Sequence, residues 1–376
     1  MPDWILWLGG VLLFLVLLSA SVAVHEAGHM VAAKKLGLKV PEYSIGFGPK
    51  IFKWKRKETD YSIRAIPLGG FVMIQDLRYP EKTYERNSLS RVKPWKRQII
   101  FAAGPLVNIV IGVTLLMVTL LSFPYQRGTT IVEQTPVCST AVTACGSSEA
   151  GIRAGDKILT IDGEKVETLD DIASAKAGKD SITVTLDRAG QTLTIPNVTL
   201  EPKTSLMGII VTTEDAWRTP AEAWTFVEDS VKQNLIAIAH LPEKVGPILE
   251  SIVVGDRPDD TPSSVVSIGK TYGDVAVDKE NTDLVKFQTY LLYTALFNIG
   301  LGVLNLTPII PLDGGRMLIA FMDSVRIRWA KLTRKKYTPI RETVYFAMAS
   351  VSTIAVFGFM GALILSDFSL IFHGNL

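Results

Sequence analysis

The sequence predicts an α-helical polytopic membrane protein with a small β-rich domain inserted on one side of the bilayer. Three observations carry this prediction: four long apolar runs without charge, a charge asymmetry between the segments that join them, and an alternating apolar–polar pattern confined to one of those segments. The 376-residue chain is 48% apolar and only 20% charged. That composition excludes a disordered chain, a collagen-like repeat and a disulfide-rich miniprotein.

The first run, Trp4 to Val24, contains no charged residue. About 20 apolar residues span a bilayer core, so it reads as a membrane helix. A cleaved signal peptide is the rival reading. It needs a basic start and a small-residue cleavage site, and this start carries Asp3 and no Lys or Arg. The second run is Ile99 to Phe123. The third, Phe287 to Pro311, is broken by Pro308 and Pro311, and the fourth covers about Thr343 to Leu365. Between the first two runs, Tyr61 to Ile74 reads as two short strands around Pro67-Leu68-Gly69-Gly70. Between the second and third, Thr130 to Thr213 alternates in short runs such as Ser181 to Leu186 and Gln191 to Ile195, a β pattern. Thr219 to Val254 has helical periodicity, and Asp256 to Ser264 is a polar, Pro-rich linker. The expected organisation is 1–123 with a hairpin at about 40–75, an insert at 128–213, an amphipathic helix and linker at 214–286, and a second helix pair at 287–376.

Orientation follows from the basic residues of the loops. Lys34 to Arg97 holds 16 Lys and Arg against 6 Asp and Glu, and Arg326 to Glu342 holds 7 against 1. Phe123 to Lys286 holds 15 against 25. The two basic stretches are therefore expected in the cytoplasm and the acidic one outside, with both termini outside. Topology accounts for the basic stretches, and no nucleic-acid partner is expected. The only two cysteines, Cys138 and Cys145, lie in the outer segment. An oxidising compartment allows a disulfide there; two free loop thiols are the alternative.

The chemistry concentrates at the inner end of the first run, in His25-Glu26-Ala27-Gly28-His29. Residues four apart share a helix face, so both imidazoles can bind one metal, with Glu26 beside a bound water. Ionisable groups at membrane depth are costly, which makes the cluster a functional candidate. A hydrolytic zinc takes three protein ligands and an open position. The best third ligand is Asp313 in Asn305-Leu306-Thr307-Pro308-Ile309-Ile310-Pro311-Leu312-Asp313-Gly314-Gly315, where two prolines interrupt an apolar run. Non-helical backbone at that depth suits the wall of a polar cavity.

The HEAGH and NLTPIIPLDGG motifs together resemble the site-2 protease family of intramembrane zinc metalloproteases. The likeness continues in Gly46-Phe47-Gly48-Pro49, in Pro67-Leu68-Gly69-Gly70-Phe71, and in Phe101-Ala102-Ala103-Gly104-Pro105 with Asn108. The outer insert, with Ala150 to Asp156 followed by Ile158 to Gly163, is similar to the PDZ domain of bacterial members acting in sigma-factor pathways. The resemblance implies one zinc ion held by His25, His29 and Asp313, with Glu26 as catalytic acid/base. It implies that Asn305 and the Gly69-Gly70-Phe71 segment hold the substrate backbone, and that the hairpin is membrane-re-entrant on the cytoplasmic side. Some relatives carry another Asn where this chain has Gly300, and Asn298 is the nearest substitute. The implied substrate is a single-span membrane protein such as an anti-sigma factor or a remnant signal peptide, in a bacterial plasma membrane. The PDZ domain would bind a peptide or act as a size filter.

Two other functions are compatible with parts of the chain. A membrane scaffold working through the PDZ domain alone does not need His25, Glu26, His29 and Asp313. A zinc transporter would also place His and Asp in the membrane, though four helices and one insert suit it poorly. No internal repeat or phosphate loop is present, and Gly46-x-Gly48 lacks the βαβ setting of a dinucleotide fingerprint.

Overall fold

The computed structural model describes residues 2–74, 92–135, 146–201, 207–258, 261–336 and 342–373. Among the described residues, four helices are long and apolar enough to cross a membrane: α1 (Asp3–Lys35), α2 (Pro94–Ser122), α8 (Asp283–Asn305), and the Ala347–His373 part of α10 (Glu342–His373). The chain divides into two compact units, Met1–Thr119 with Glu222–Leu376, and Leu120–Ala221.

In the first unit, helices meet where small residues remove the Cβ that would keep backbones apart, the usual device between membrane helices. A Cβ on Gly28 of α1 would lie 2.6 Å from the Ala103 carbonyl oxygen of α2. One on Gly112 of α2 would lie 2.8 Å from the Ala295 carbonyl of α8, and one on Gly302 of α8 2.8 Å from the Pro105 carbonyl of α2. α1 has 33 residues, about 50 Å at 1.5 Å per residue, and exceeds the apolar core of a bilayer. Its first half packs on α7 (Val265–Val277). There Trp7 Nε1 donates to Asp274 Oδ1 at 3.0 Å, and the Phe14 and Tyr272 rings lie 5.2 Å apart.

The four predicted spans are present among the described residues, but their extents and the helices between them differ. α8 stops at Asn305, short of the predicted Pro311. Pro308 and Pro311 have no N–H to continue it, and residues 306–312 form turns, with Thr307 N bonded to Leu304 O and Leu312 N to Ile309 O. The chain then re-enters a helix, α9 (Asp313–Leu332). The single helix predicted over Thr219 to Val254 is two, α5 (Pro220–Ala239) and α6 (Leu241–Val254), divided at His240 because Pro242 opens the second. α7 follows the linker and went unread: its 13 residues are capped by Ser264, whose Oγ accepts from Val266 N, but are interrupted by Gly269 and Gly273.

The hairpin also differs. It is larger than predicted: its strands are β1 (Glu42–Arg56) and β2 (Thr59–Met73), joined by a reversal at Lys57 and Glu58, and β2 itself turns back between Ile63 and Gly70, where Pro67 to Gly70 predict a reversal. Glu42 to Ile45 lies between two parts of β2, beside Asp60 to Ile63 on one side and Gly70 to Met73 on the other. Gly46 permits the bend: its φ is +83°, and a Cβ there would lie 2.5 Å from the Ile66 carbonyl oxygen.

Among the described residues, the second unit holds a six-stranded antiparallel sheet. β7 (Gln191–Thr199), β6 (Ser181–Arg188), β4 (Lys157–Ile161), β3 (Tyr125–Gln134) and β8 (Ile210–Ala216) pair in that order, and β5 (Glu164–Lys165) pairs with β4. Alternate residues of β6, Ile182, Val184 and Leu186, are buried with Ile158, Ile161, Ile172 and Val198. Besides the one-turn α3 (Gly146–Glu149), its helix is α4 (Leu169–Lys176), where Thr168 and Asp171 form a reciprocal capping box. Cys138 and Cys145 lie outside the described residues.

One buried carboxylate fixes the start of β4. Asp156 accepts Arg188 Nε at 2.7 Å, Arg188 Nη2 at 2.7 Å and Arg153 N at 2.8 Å. The Arg188 fork holds its carboxyl below the usual carboxylate range. A depressed folded value means this stabilisation is present above the unfolded value near 3.9 and lost as pH falls toward the folded one. Hydrogen exchange of the β4 and β6 amides in the full chain is expected to accelerate below about pH 4, and Asp156→Asn is expected to remove that acid step. Arg188→Ala is expected to cost about 2 kcal/mol at neutral pH by orphaning the carboxylate.

Candidate metal centre

α1 places His25 and His29 one turn apart on a face that is buried in the first unit. The turns after α8 deliver Asp313 as the first residue of α9, and the approach is tight. A Cβ on Gly314 would lie 2.1 Å from the Thr307 carbonyl oxygen and one on Gly315 2.7 Å from that of Ile309, so both glycines are required for the carboxylate to arrive where it does. His25 Nε2 and His29 Nε2 each stand 3.0 Å from Asp313 Oδ2, and 3.2 Å from each other. All three side chains are buried.

The donor set fits a cation. His29 Nδ1 lies 2.7 Å from the Ile100 carbonyl oxygen. A carbonyl only accepts, so the neutral ring carries its proton on Nδ1 and turns the Nε2 lone pair toward Asp313. With its proton on Nδ1, His29 Nε2 is an acceptor facing the Asp313 carboxylate oxygen at 3.0 Å, a pair that repels unless positive charge lies between its atoms. Zinc ligands about 2.0–2.1 Å from the ion in tetrahedral geometry lie about 3.3 Å apart, close to this triangle. A backbone carbonyl on Nδ1, as Ile100 provides here, is the kind of outer partner that fixes the ring of metal-binding histidines.

Gly104 of α2 closes the site from the side. A Cβ there would lie 2.4 Å from His29 Nε2 and 2.9 Å from His25 Nε2. Sequence reasoning quoted Gly104 in a motif and gave it no role; the signal available was a glycine inside an otherwise strong helical run. Glu26 is half-buried beside β2, where a Cβ on Gly70 would lie 3.4 Å from Glu26 Cγ. Tyr43 OH donates to the Ala23 carbonyl at 2.5 Å and Ser19 Oγ to that of Pro67 at 2.9 Å, which ties the hairpin to α1. Gly69 has φ +97° and sits under the Phe47 ring, and the Arg64 guanidinium lies 5.1 Å from the Phe71 ring centroid. Asn305 ends α8 with its Nδ2 donating to Leu301 O at 3.0 Å. Asn298 is bound into the bundle instead, donating to Ser21 Oγ at 3.0 Å and to Thr294 O at 2.8 Å. The lone histidines stand apart from the cluster: His240 pairs with Glu243, and His373 Nδ1 lies 2.8 Å from the Ser369 carbonyl.

Comparison with known proteins identifies the family. The model of peptidase family M50 matches residues 13–351. Zinc metalloprotease Rip1 of Mycolicibacterium smegmatis is 30% identical, the alignment covering 84% of this chain and 86% of that protein. Rip1 of Mycobacterium tuberculosis is 29% identical with the same coverage, and a putative zinc metalloprotease of Clostridium perfringens is 29% identical over 88% of this chain and 92% of its own. A paired-histidine helix, a distant aspartate turn and a match over most of the sequence lead to one assignment: the chain belongs to peptidase family M50 and is a membrane-embedded zinc metalloprotease of the site-2 protease type.

Proposed function

We propose that this protein is an intramembrane endopeptidase that cuts peptide bonds within the transmembrane segment of single-span membrane proteins, such as anti-sigma factors or remnant signal peptides, in regulated intramembrane proteolysis. The observation that carries the reading is the convergence of His25, His29 and Asp313 to within 3.0–3.2 Å on or beside apolar spans. In this reading those three side chains hold one zinc ion. Zinc, when bound, supplies an electrophile for the scissile carbonyl and lowers the pKa of bound water to about 7.

The remaining steps belong to the protein. Glu26 takes the proton of the attacking water and returns it to the leaving amine. Ile100 keeps the His29 ring in the tautomer that leaves Nε2 free to coordinate. A bond inside an intact helix is shielded, so the substrate has to unwind. Gly70 to Met73 pairs with Glu42 to Ile45 on one side only, and among the described residues no strand covers its other edge. An unwound substrate adds there as a strand, bringing its backbone past Gly69, Gly70 and Phe71 to the Glu26 side chain. The lack of a Cβ at Gly70 keeps that approach open. Asn305 holds the substrate carbonyl once its amide turns from Leu301. The hairpin dips into the membrane from the cytoplasmic side, where the basic loops lie, and both chain ends are extracytoplasmic in a bacterial plasma membrane. Residues 128–213 form an extracytoplasmic PDZ domain, a reading supported by its small antiparallel sheet and capped helix α4.

The test uses the full chain in detergent with a model single-span substrate. The wild type is expected to cut it and to carry one zinc per chain. Glu26→Gln is expected to retain the zinc and lose at least about 10²-fold in rate, the scale of general-base catalysis. Undiminished cutting by Glu26→Gln would remove the mechanism, and no zinc in the wild type would remove the site.

A further inference from the structure

We propose that α9 is an interfacial helix whose outer face seats in the membrane surface and whose basic flanks hold anionic lipid headgroups, anchoring the element that presents Asp313. The proposal rests on the chain spanning a bilayer and does not depend on the catalytic assignment.

α9 has two unlike faces. Ala320 and Asp323 are buried, and Arg97 at the start of α2 donates to Asp323 Oδ2 at 2.7 Å, which fixes that side to the protein. Leu318, Phe321, Met322, Val325, Trp329 and Leu332 are all exposed, Trp329 at 67% and Leu332 at 80%. At 100° per residue these six fall within an arc of about 100°, opposite the Asp323 side. A stripe of this kind, about 21 Å long at 1.5 Å per residue, is not left in water on a monomer surface. Nor is α9 a span: Arg316, Asp323, Arg326, Arg328 and Lys331 fall inside its 20 residues.

Charge and connectivity select the occupant. Asp313 and Asp323 are the only acids from residue 313 to 336, and both are engaged, with the imidazoles and with Arg97. Arg326 and Arg328 lie on the two flanks of the stripe. Among the described residues, no acidic partner meets them, Lys331 or the Arg334-Lys335-Lys336 run. Long basic side chains beside an apolar stripe reach to headgroups while their stems stay with the acyl chains. Both ends of the segment are tied to spans, α8 ending at Asn305 and the next beginning at Ala347, so α9 is held beside the bilayer whatever its own affinity. A negative lipid surface satisfies stripe, flanks and tether together.

The experiment measures tryptophan fluorescence of the full chain in nanodiscs of phosphatidylcholine with about 30% phosphatidylglycerol, either lipid carrying brominated acyl chains. The emission lost in Trp329→Phe is that of Trp329. It is expected to fall at least about twofold with brominated lipid, and further per mole with brominated phosphatidylglycerol than with brominated phosphatidylcholine. Arg326→Gln with Arg328→Gln and Lys331→Gln is expected to abolish that difference while leaving quenching by total lipid. Quenching by aqueous iodide and not by lipid would put the face in water. Quenching by neither would put it under protein, a second copy included, and equal quenching by both lipids in the wild type would refute the anionic preference. Each of these three results overturns the proposal. The same measurement on Glu26→Gln separates it from the catalytic reading, since neither cleavage nor the general base enters it.

Discussion

Gly104→Ala is expected to empty the metal centre without altering any ligand. The added methyl would stand 2.4 Å from His29 Nε2, 2.7 Å from His29 Cε1 and 2.9 Å from His25 Nε2, well inside van der Waals contact. α2 is seated closely against α1 on the same face, where a Cβ on Gly28 would lie 2.6 Å from the Ala103 carbonyl oxygen. The imidazoles have to turn away, and His29 can do so only by breaking its bond to the Ile100 carbonyl. Loss of such an outer partner alone costs 10- to 100-fold in metal affinity, so the combined effect is expected to be at least about 10²-fold. Zinc per chain after dialysis against a weak chelator reads it directly, and cleavage should fall in step. Gly358→Ala is the control, because a Cβ there meets nothing within 4 Å. Full zinc occupancy in Gly104→Ala would show that the helices yield more readily than their packing implies.

Arg257→Ala is expected to have the largest effect on stability. Arg257 Nη1 donates to Asp367 Oδ1 at 2.8 Å, and the two side chains are 7% and 0% exposed. Asp367 Oδ2 also accepts Ser264 N at 2.9 Å, and Ser366 Oγ lies 2.6 Å from Ser251 Oγ. The end of α10 is thereby tied to α6 and to the cap of α7. Removing the guanidinium leaves a buried carboxylate with one backbone donor, and breaking such a pair costs about 3–5 kcal/mol. Thermal unfolding in detergent should show a corresponding drop. The double variant Arg257→Met, Asp367→Leu should recover most of it, because the cost lies in the orphaned charge. By contrast, losing the fully exposed Lys165–Glu167 pair should leave thermal unfolding nearly unchanged. An Arg257→Ala protein as stable as the wild type would mean that water reaches Asp367.

How much of this was legible in the sequence depended on the range of the interaction. His25 and His29 were legible because their relation is four residues on one helix, and four apolar runs of membrane length announce themselves. The end of α8 was overshot because hydropathy continues through Ile309 and Ile310, whereas the helix answers to the missing N–H groups of Pro308 and Pro311. The reversal of the hairpin was placed at Pro67 to Gly70 on turn chemistry. The chain does turn back there, between Ile63 and Gly70, and Gly70 also gives clearance to Val22 and Glu26 of α1; the further reversal at Lys57 and Glu58 went unread. Gly104 and α7 were illegible for a common reason. Each matters through a partner more than 70 positions away, His29 for one and Trp7 for the other, and no local pattern encodes that.

The separation along the chain between the imidazoles and Asp313 has its own consequence. His29 and Asp313 are 284 positions apart. Under the ligand assignment proposed here, the ion is a clasp closing a polymer loop that contains the entire Leu120–Ala221 unit. Such a closure removes conformations from the unfolded chain, so chelators should lower the melting temperature as well as stop turnover. Neither the first 35 residues nor the last third can assemble the centre alone, and a cut within the insert would leave the two pieces joined through metal.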